Sequence, residues 1–230
     1  MTTHVFPAAA TTSLPIVGTA LRFPVNRVFC IGRNYWWSDS VKGQRAPVFP
    51  AFFMKPADAV VNASGTIAYP RATEDFCHEI ELVVAIGKDG SDIPAETTLD
   101  HVWGYGAGLD LTRRDLQATA KRLGQPWEAA KAFDASAPVS ALMPSSAIGH
   151  PSSGAIWLAV NGVERQRSDL AEQIWSVPEL ISNLSRSLTL KAGDLVFTGT
   201  PEGVGALLPG DVLHAGIDGV QSFSVTIAAR

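Results

Sequence analysis

Two carboxylates stand two residues apart in an otherwise apolar run, HEIELVVAIG, at residues 78–87. Side chains two positions apart on a strand point to the same face, so Glu79 and Glu81 are predicted to lie side by side. Burying either carboxylate unpaired costs several kcal/mol or forces its protonation, and the two charges also repel each other. The pattern therefore predicts a positive charge between them.

A third acidic group, Asp110, follows the glycine-rich stretch GYGAGL, which we interpret as a turn. Three carboxylates without clustered histidines or cysteines are typical of a hard-cation site, because Mg²⁺, Mn²⁺ and Ca²⁺ prefer oxygen ligands. The five histidines have no ligand spacing such as HExxH, so zinc is less expected. We expect Glu79, Glu81 and Asp110 to hold Mg²⁺ or Mn²⁺, with Ca²⁺ a possible occupant in crystals. Pairing of one glutamate with an arginine is the alternative.

The segment TRRDLQATAKRLG, residues 112–124, is predicted to be a helix that begins with a capping box from Thr112 to Asp115. If this helix starts near Asp110, then Arg114, Gln117 and Lys121 share one polar face. A guanidinium, an amide and an ammonium together suit a carboxylated small molecule. The alternative is that this face is the solvated side of an amphipathic helix.

Two further residues near these acids could do chemistry. Lys131, in KAFDASAP, could stabilise a developing oxyanion or be an ordinary surface charge. His78 is adjacent to Glu79 and should point to the opposite face of the strand. We therefore interpret it as a hydrogen-bonded core histidine.

The elements that must position these groups are mainly short strands punctuated by glycine and proline, which favours a β-rich architecture. A second helix is expected from about residue 169 to 184, with Pro178 interrupting its pattern. Residues 1–50 are expected to form a small N-terminal module that includes a lid over the site. Residues 51–230 are expected to form the main catalytic domain. The predicted strands are 27–32, 51–55, 80–87, 155–162, 194–199, 211–217 and 222–228.

Composition limits the class of protein. The chain has 230 residues, 46% hydrophobic and 17% charged, with a net charge of −4 and no basic run, which argues against a nucleic-acid partner. No apolar run approaches the length of a membrane span, and the N-terminus is not typical of a signal peptide. Cys30 and Cys77 lie in apolar segments and are interpreted as reduced core residues. We expect a cytoplasmic globular enzyme.

A series of motifs resembles the fumarylacetoacetate hydrolase family over roughly residues 25 to 228. Within that family the central segment is most similar to bacterial fumarylpyruvate hydrolases of gentisate breakdown, a pathway of aromatic catabolism. The resemblance implies an α+β fold, predominantly β, in which a mixed β roll carries few helices, and it implies a homodimer. The motifs, in chain order, are GRNY, FMKP, HEIEL, GLDLTRRDLQ, PW followed by AKAFD, PELI and TGTPEGVG.

The resemblance also implies roles for individual residues. The metal ligands would be Glu79, Glu81 and Asp110, and Lys131 matches an active-site lysine of the family. Side chains that match substrate-contacting positions are Arg33, Arg114, Gln117 and Thr200. The implied substrate is a small keto acid, an acylpyruvate such as fumarylpyruvate. Its C–C bond would be hydrolysed with metal-assisted release of pyruvate enolate.

One motif departs from the family pattern. The family usually reads GRNYxxHxxE, in which the histidine and glutamate activate water. This chain reads GRNYWWSDSV, with Ser38 and Val41 at those two positions. Serine is a poor general base, and general-base help is typically worth about 10²–10⁴ in rate. Asp39 is the candidate replacement, although it could equally be a solvated loop charge.

Three functions follow from these observations. The first is a Mg²⁺-dependent acylpyruvate hydrolase, which the overall resemblance favours. The second is a β-keto acid decarboxylase or keto–enol tautomerase acting on a compound such as oxaloacetate, which Ser38 and Val41 favour. The third is a catalytically idle binding protein, which the intact carboxylate trio argues against.

Overall fold

The computed structural model describes residues 3–36 and 49–229. Most of the regular structure is β, as the sequence predicted, and the strands are short. In chain order they are β1 Ser13–Pro15, β2 Arg22–Pro24, β3 Val28–Gly32, β4 Ala51–Lys55, β5 Val60–Asn62, β6 Gly65–Ile67, β7 Phe76–His78, β8 Ile80–Ile86, β9 Val102–Leu109, β10 Thr112–Arg113, β11 Ala137–Val139, β12 Met143–Pro144, β13 Ala155–Val160, β14 Val163–Asp169, β15 Leu195–Phe197, β16 Gly205–Ala206, β17 Val212–Ile217 and β18 Gln221–Ile227.

Helices are few and short in the described ranges. The α-helices are α1 Arg114–Leu123, α2 Glu128–Lys131, α3 Ser145–Ile148 and α4 Val177–Ser187, and the 3₁₀ helices are Ala57–Ala59, Ala95–His101 and Leu170–Glu172. No described helix has the length and apolar character needed to cross a membrane.

Two large sheets build the fold. An eight-stranded mixed sheet runs in the order β4-β3-β15-β8-β9-β11-β5, and β12 pairs with β9 beside β11. A five-stranded sheet runs in the order β14-β13-β17-β18-β6, and a three-stranded sheet runs in the order β10-β7-β16. The division of the chain at residue 50 stays a prediction.

Strand β8 lies at the centre of the core, and all seven of its residues are buried. Its even-numbered side chains, such as Leu82 and Val84, pack in one apolar cluster with strands of the five-stranded sheet and with α4. Its odd-numbered side chains, Val83 and Ala85, pack on the other face with β3 and β15. Continuous burial on both faces explains why this segment is a nearly unbroken apolar run. Glu81 is on the odd-numbered face.

The glycine-rich stretch before Asp110 is strand β9, so its interpretation as a turn was wrong. Glycines alternate along β9, and on one face their missing side chains leave room for neighbouring backbone and apolar groups. A Cβ on Gly104 would lie 2.2 Å from the carbonyl oxygen of Met143, and one on Gly108 would lie 2.7 Å from Val83. The glycines therefore permit close packing against β12 and β8.

Both predicted helices form, with different starts. Helix α1 begins at Arg114, since Thr112 belongs to β10, and it ends at Leu123, where Gly124, with a φ of 65°, forms the C-cap. Helix α4 begins at Val177 with a capping box from Ser176 to Glu179. Pro178 therefore starts this helix rather than interrupting it, because proline in a first helical turn loses no hydrogen bond.

The packing around β9 gives a stability prediction. Gly104→Ala should lower the free energy of unfolding by about 1–3 kcal/mol, because the new methyl group must displace backbone at Met143. Gly32→Ala is the matched control, because its nearest contacts would be 3.9 Å away. The measurement is urea unfolding of both variants, and equal midpoints would contradict the close approach.

Candidate active site

Three buried carboxylates meet at the start of strand β8 and the end of strand β9. Antiparallel pairing sets Glu81 opposite Gly108, and the Asp110 backbone N–H continues the ladder by donating to the Glu79 carbonyl at 2.9 Å. Each of Glu79, Glu81 and Asp110 offers an oxygen within 4.8 Å of the others. The side-by-side arrangement predicted for the two glutamates is present.

Lys131, the last residue of α2, points into this group of acids. Its Nζ lies 2.8 Å from Glu79 Oε2, 2.6 Å from Asp110 Oδ2 and 2.6 Å from Thr112 Oγ1. The side chain is almost fully buried, so the alternative of an ordinary surface charge was wrong. The Thr112 hydroxyl, for which a capping role was predicted, lies 3.2 Å from Glu79 Oε1.

A second buried lysine, Lys55 at the end of β4, was missed by the sequence analysis. Its Nζ forms an ion pair with Asp110 Oδ1 at 2.9 Å and donates to the carbonyl oxygens of Leu111 and Lys131. Lys55 therefore pairs with Asp110 and also forms a hydrogen bond to the backbone of Lys131. A lysine inside the apolar strand AFFMK was the available signal, because an unpaired lysine is rarely buried.

The charges in this cluster are unevenly paired. Burial opposes the charged form of Asp110, but Lys131 and Lys55 outweigh that effect and lower its pKa. Burial also opposes the charged form of Lys131, and the two acids it contacts more than compensate and raise its pKa. For Glu81, burial and then repulsion from Asp110 and Glu79 raise the pKa well above its usual value.

Glu81 is the acid that needs a cation. Its Oε2 accepts the Gly199 backbone N–H at 2.7 Å, and no lysine or arginine in the described ranges forms an ion pair with it. A divalent ion among three carboxylates would supply the missing positive charge, and an all-oxygen donor set suits Mg²⁺ or Mn²⁺. The residues present therefore fit the metal that the sequence predicted.

The acids lie in a cavity of about 760 Å³. Helix α1 contributes its predicted polar face, because Arg114, Gln117 and Lys121 all line this cavity. Gln117 Oε1 accepts from Arg114 at 3.3 Å and from Lys121 at 3.2 Å, and its amide nitrogen has no hydrogen-bond partner among residues 3–36 and 49–229. Lys121 also lies 4.9 Å from the ring centre of Trp127. Gln117 is buried, while Arg114 and Lys121 are exposed, so the predicted polar face borders the cavity and is also partly solvated.

Arg33 also lines this cavity and has a left-handed backbone, with φ at 61°. Such a φ is uncommon for a residue other than glycine, and it is held by its surroundings. The neighbouring Asn34 is fully buried and donates to the carbonyl oxygens of Trp175 and Thr198 at 2.9 and 2.8 Å. These bonds fix the chain where Arg33 faces the cavity.

Thr200 lies on the loop after β15 and lines the same cavity. The preceding Gly199 has a φ of 94°, and a Cβ there would lie 2.6 Å from Asn34. This glycine therefore allows its N–H to reach Glu81 while Thr200 faces the cavity. Thr200 Oγ1 accepts a hydrogen bond from Gln166, another residue that the sequence analysis missed.

The structure tests the prediction for His78 but does not test the one for Asp39. His78 is buried and its Nδ1 lies 2.9 Å from Gln166 Oε1, which agrees with a hydrogen-bonded core histidine. Asp39 lies outside the described residues, as do Ser38 and Val41. The role of Asp39 stays a prediction, while Trp36 lines the cavity.

Comparisons with known proteins agree with this geometry. Residues 27–228 match the family described as the C-terminal domain of fumarylacetoacetate hydrolase. The chain is similar to the fumarylpyruvate hydrolase of Pseudomonas aeruginosa, solved in complex with Mn²⁺ and pyruvate. The identity is 51%, with 99% of this chain and 100% of that chain covered and a TM-score of 0.95. A candidate fumarylpyruvate hydrolase from Burkholderia cenocepacia is 58% identical, covers 100% of this chain and 96% of its own, and has a TM-score of 0.94.

Relatives of another activity are also similar. The mitochondrial oxaloacetate tautomerase of Mus musculus is 43% identical over 197 residues, which is 85% of this chain and 88% of that protein. The oxaloacetate tautomerase of Escherichia coli K12 is 41% identical over 203 residues, covering 88% of this chain and 93% of that protein.

The charge pairing in the trio gives a metal-binding prediction. Glu81→Gln should weaken Mn²⁺ binding at least about 100-fold, because it removes the acid that pairs with no lysine in the described part of the chain. Glu202→Gln, which changes an exposed carboxylate in the same cavity, should leave Mn²⁺ affinity nearly unchanged. Calorimetric titration with Mn²⁺ measures both. Wild-type affinity in Glu81→Gln would contradict the assignment of this ligand.

Proposed function

Because the chain belongs to the fumarylacetoacetate hydrolase family, we propose that it is a divalent-metal-dependent hydrolase that cleaves fumarylpyruvate or a similar acylpyruvate. The observation that carries this proposal is one cavity that combines a buried carboxylate trio with three cationic side chains, Arg33, Arg114 and Lys121. The trio suits a metal, and the cations suit a substrate with carboxylates at both ends.

The balanced reaction is fumarylpyruvate plus water giving fumarate plus pyruvate. Water adds to the distal carbonyl carbon, the C–C bond to the pyruvate methylene breaks, and that methylene carbon gains a proton. A metal held by Glu79, Glu81 and Asp110 would act as a Lewis acid toward the oxo and carboxylate oxygens of the pyruvate end.

The chain's own residues perform the remaining tasks. Lys131 places an ammonium beside Glu79 and Asp110, where it can stabilise negative charge that develops on the pyruvate oxygens. Arg114 and the amide nitrogen of Gln117 can orient a carboxylate, which lowers the entropic cost of reaching the reactive geometry. Asp39 is our candidate for activating water.

A second function is favoured by a specific sequence observation. Ser38 and Val41 occupy the positions where the family has its water-activating pair, and both named tautomerases above act on oxaloacetate. Tautomerisation moves a proton between carbon and oxygen and consumes no water. The same trio and Lys131 could support it, and a decarboxylase of such a keto acid would need the same enolate stabilisation.

The first experiment separates these functions. We expect the purified protein with Mg²⁺ or Mn²⁺ to consume fumarylpyruvate, followed by its ultraviolet absorbance, and to release one pyruvate per substrate. Chelation with EDTA should abolish turnover. Substrate that stays intact, together with metal-dependent loss of the oxaloacetate enol signal, would assign the tautomerase. Pyruvate formed from oxaloacetate would assign the decarboxylase.

The cationic wall predicts selectivity for a dianion. Lys121→Met should lower kcat/KM for fumarylpyruvate about 10-fold, because one charge-assisted contact to the distal carboxylate is lost. Acetylpyruvate has no distal carboxylate, so its kcat/KM should change less than about 3-fold. Arg122→Met on the neighbouring exposed position is the matched control. An equal loss for both substrates would refute a role for Lys121 in selectivity.

A further inference from the structure

Gln166 is buried in a strand that is otherwise mostly exposed. It is 1% exposed, while Arg165 and Arg167 on either side face solvent. A buried primary amide is costly unless its oxygen and both of its N–H groups find partners. The amide oxygen and both amide hydrogens of Gln166 have hydrogen-bond partners, and these partners determine the positions of Oε1 and Nε2.

Two backbone groups fix the orientation of this amide. The Ile80 N–H donates to Oε1 at 3.2 Å, and the Pro201 carbonyl oxygen accepts from Nε2 at 2.9 Å. A backbone N–H can only donate and a carbonyl oxygen can only accept, so the flipped amide would lose both bonds. These two contacts therefore assign which atom of the Gln166 amide is Oε1 and which is Nε2.

The fixed amide then determines two side-chain hydrogens. His78 Nδ1, 2.9 Å from Oε1, must carry a hydrogen and donate it. Thr200 Oγ1, 2.9 Å from Nε2, must accept, because an amide nitrogen offers no lone pair. The hydroxyl hydrogen of Thr200 is thus left for another acceptor. No side chain or backbone oxygen within residues 3–36 and 49–229 accepts it, and Thr200 lines the cavity.

We propose that Gln166 is a positioning residue that commits the Thr200 hydroxyl to donate into the cavity, toward a carboxylate or oxo oxygen of the substrate. This inference rests on the proposed function, in which the cavity takes a keto acid. Gln166 acts through Thr200 and does not line the cavity itself.

The backbone around this contact supports a fixed arrangement. Gly203, on the same loop as Thr200, has a φ of 99°, and a Cβ there would lie 2.0 Å from the carbonyl oxygen of Arg165. The loop therefore sits directly on β14. Through the Ile80 N–H, Gln166 also joins this loop to the chain between Glu79 and Glu81. The same amide thus sets the Thr200 hydroxyl relative to the predicted metal ligands.

The test compares pyruvate binding among variants in the presence of saturating Mn²⁺. Thr200→Val should weaken pyruvate about 10-fold, because a charge-assisted hydrogen bond is lost, while Thr200→Ser should bind nearly as the wild type does. Gln166→Glu replaces the donor with an acceptor, so the Thr200 hydroxyl would turn away from the cavity. We expect a loss similar to that of Thr200→Val and no further loss in the double variant. Mn²⁺ affinity should stay within about 3-fold throughout.

Different outcomes separate this inference from the proposed function. Additive losses in the double variant, or wild-type affinity in Gln166→Glu while Thr200→Val is weakened, would overturn the role of Gln166. Failure of the wild-type protein to bind pyruvate with Mn²⁺ would overturn the proposed function and this inference with it. If Gln166→Glu does not fold, Gln166→Met replaces it. We then expect about a 3-fold loss that disappears in the Thr200→Val background.

Discussion

The cost of burying three carboxylates together is the constraint on which the rest of the site depends. Removing any one of these charges from water costs several kcal/mol, and their mutual repulsion adds to that cost. Lys131 and Lys55 contact Asp110 at 2.6 and 2.9 Å and lower its pKa, whereas Lys131, 2.8 Å from Glu79, only partly offsets the burial that raises the pKa of that acid. Glu81 is left with a backbone N–H, and its raised pKa reflects that imbalance. Among the residues that the structure describes, no lysine or arginine pairs with Glu81, so this acid is available to a bound cation.

The strands around the trio follow from this requirement. Close pairing of β8 with β9 brings Asp110 beside Glu79, and the alternate glycines of β9 make that pairing possible. Lys55 and Lys131 come from β4 and α2, so these ion pairs form only when both elements have packed beside the ends of β8 and β9 that carry the acids. Function and folding are therefore coupled through the same ion pairs.

Local patterns predicted the parts of this protein that depend on local physics. Strand periodicity placed Glu79 and Glu81 on one face, and helix spacing placed Arg114, Gln117 and Lys121 together. The turn predicted before Asp110 was wrong because glycine usually breaks strands, while here its small size serves packing between β9 and its neighbours. Lys55 and Gln166 were missed because their roles depend on partners far away in sequence: Lys55 pairs with Asp110, and Gln166 bonds Ile80 and Thr200.

The same centre explains why relatives with hydrolase and tautomerase names share this architecture. Both reactions place negative charge on the oxygens of a keto acid, and in the function we propose a metal held by the acids, together with Lys131, would stabilise that charge. The reactions differ in whether water must be activated and in what lies at the distal end of the substrate. We attribute both differences to the side chains that line the cavity. Arg33 follows a backbone fixed by Asn34, Lys121 lies over the ring of Trp127, and Thr200 accepts a hydrogen bond from Gln166. Changes in the wall can therefore redirect the chemistry while the charge balance of the centre is preserved.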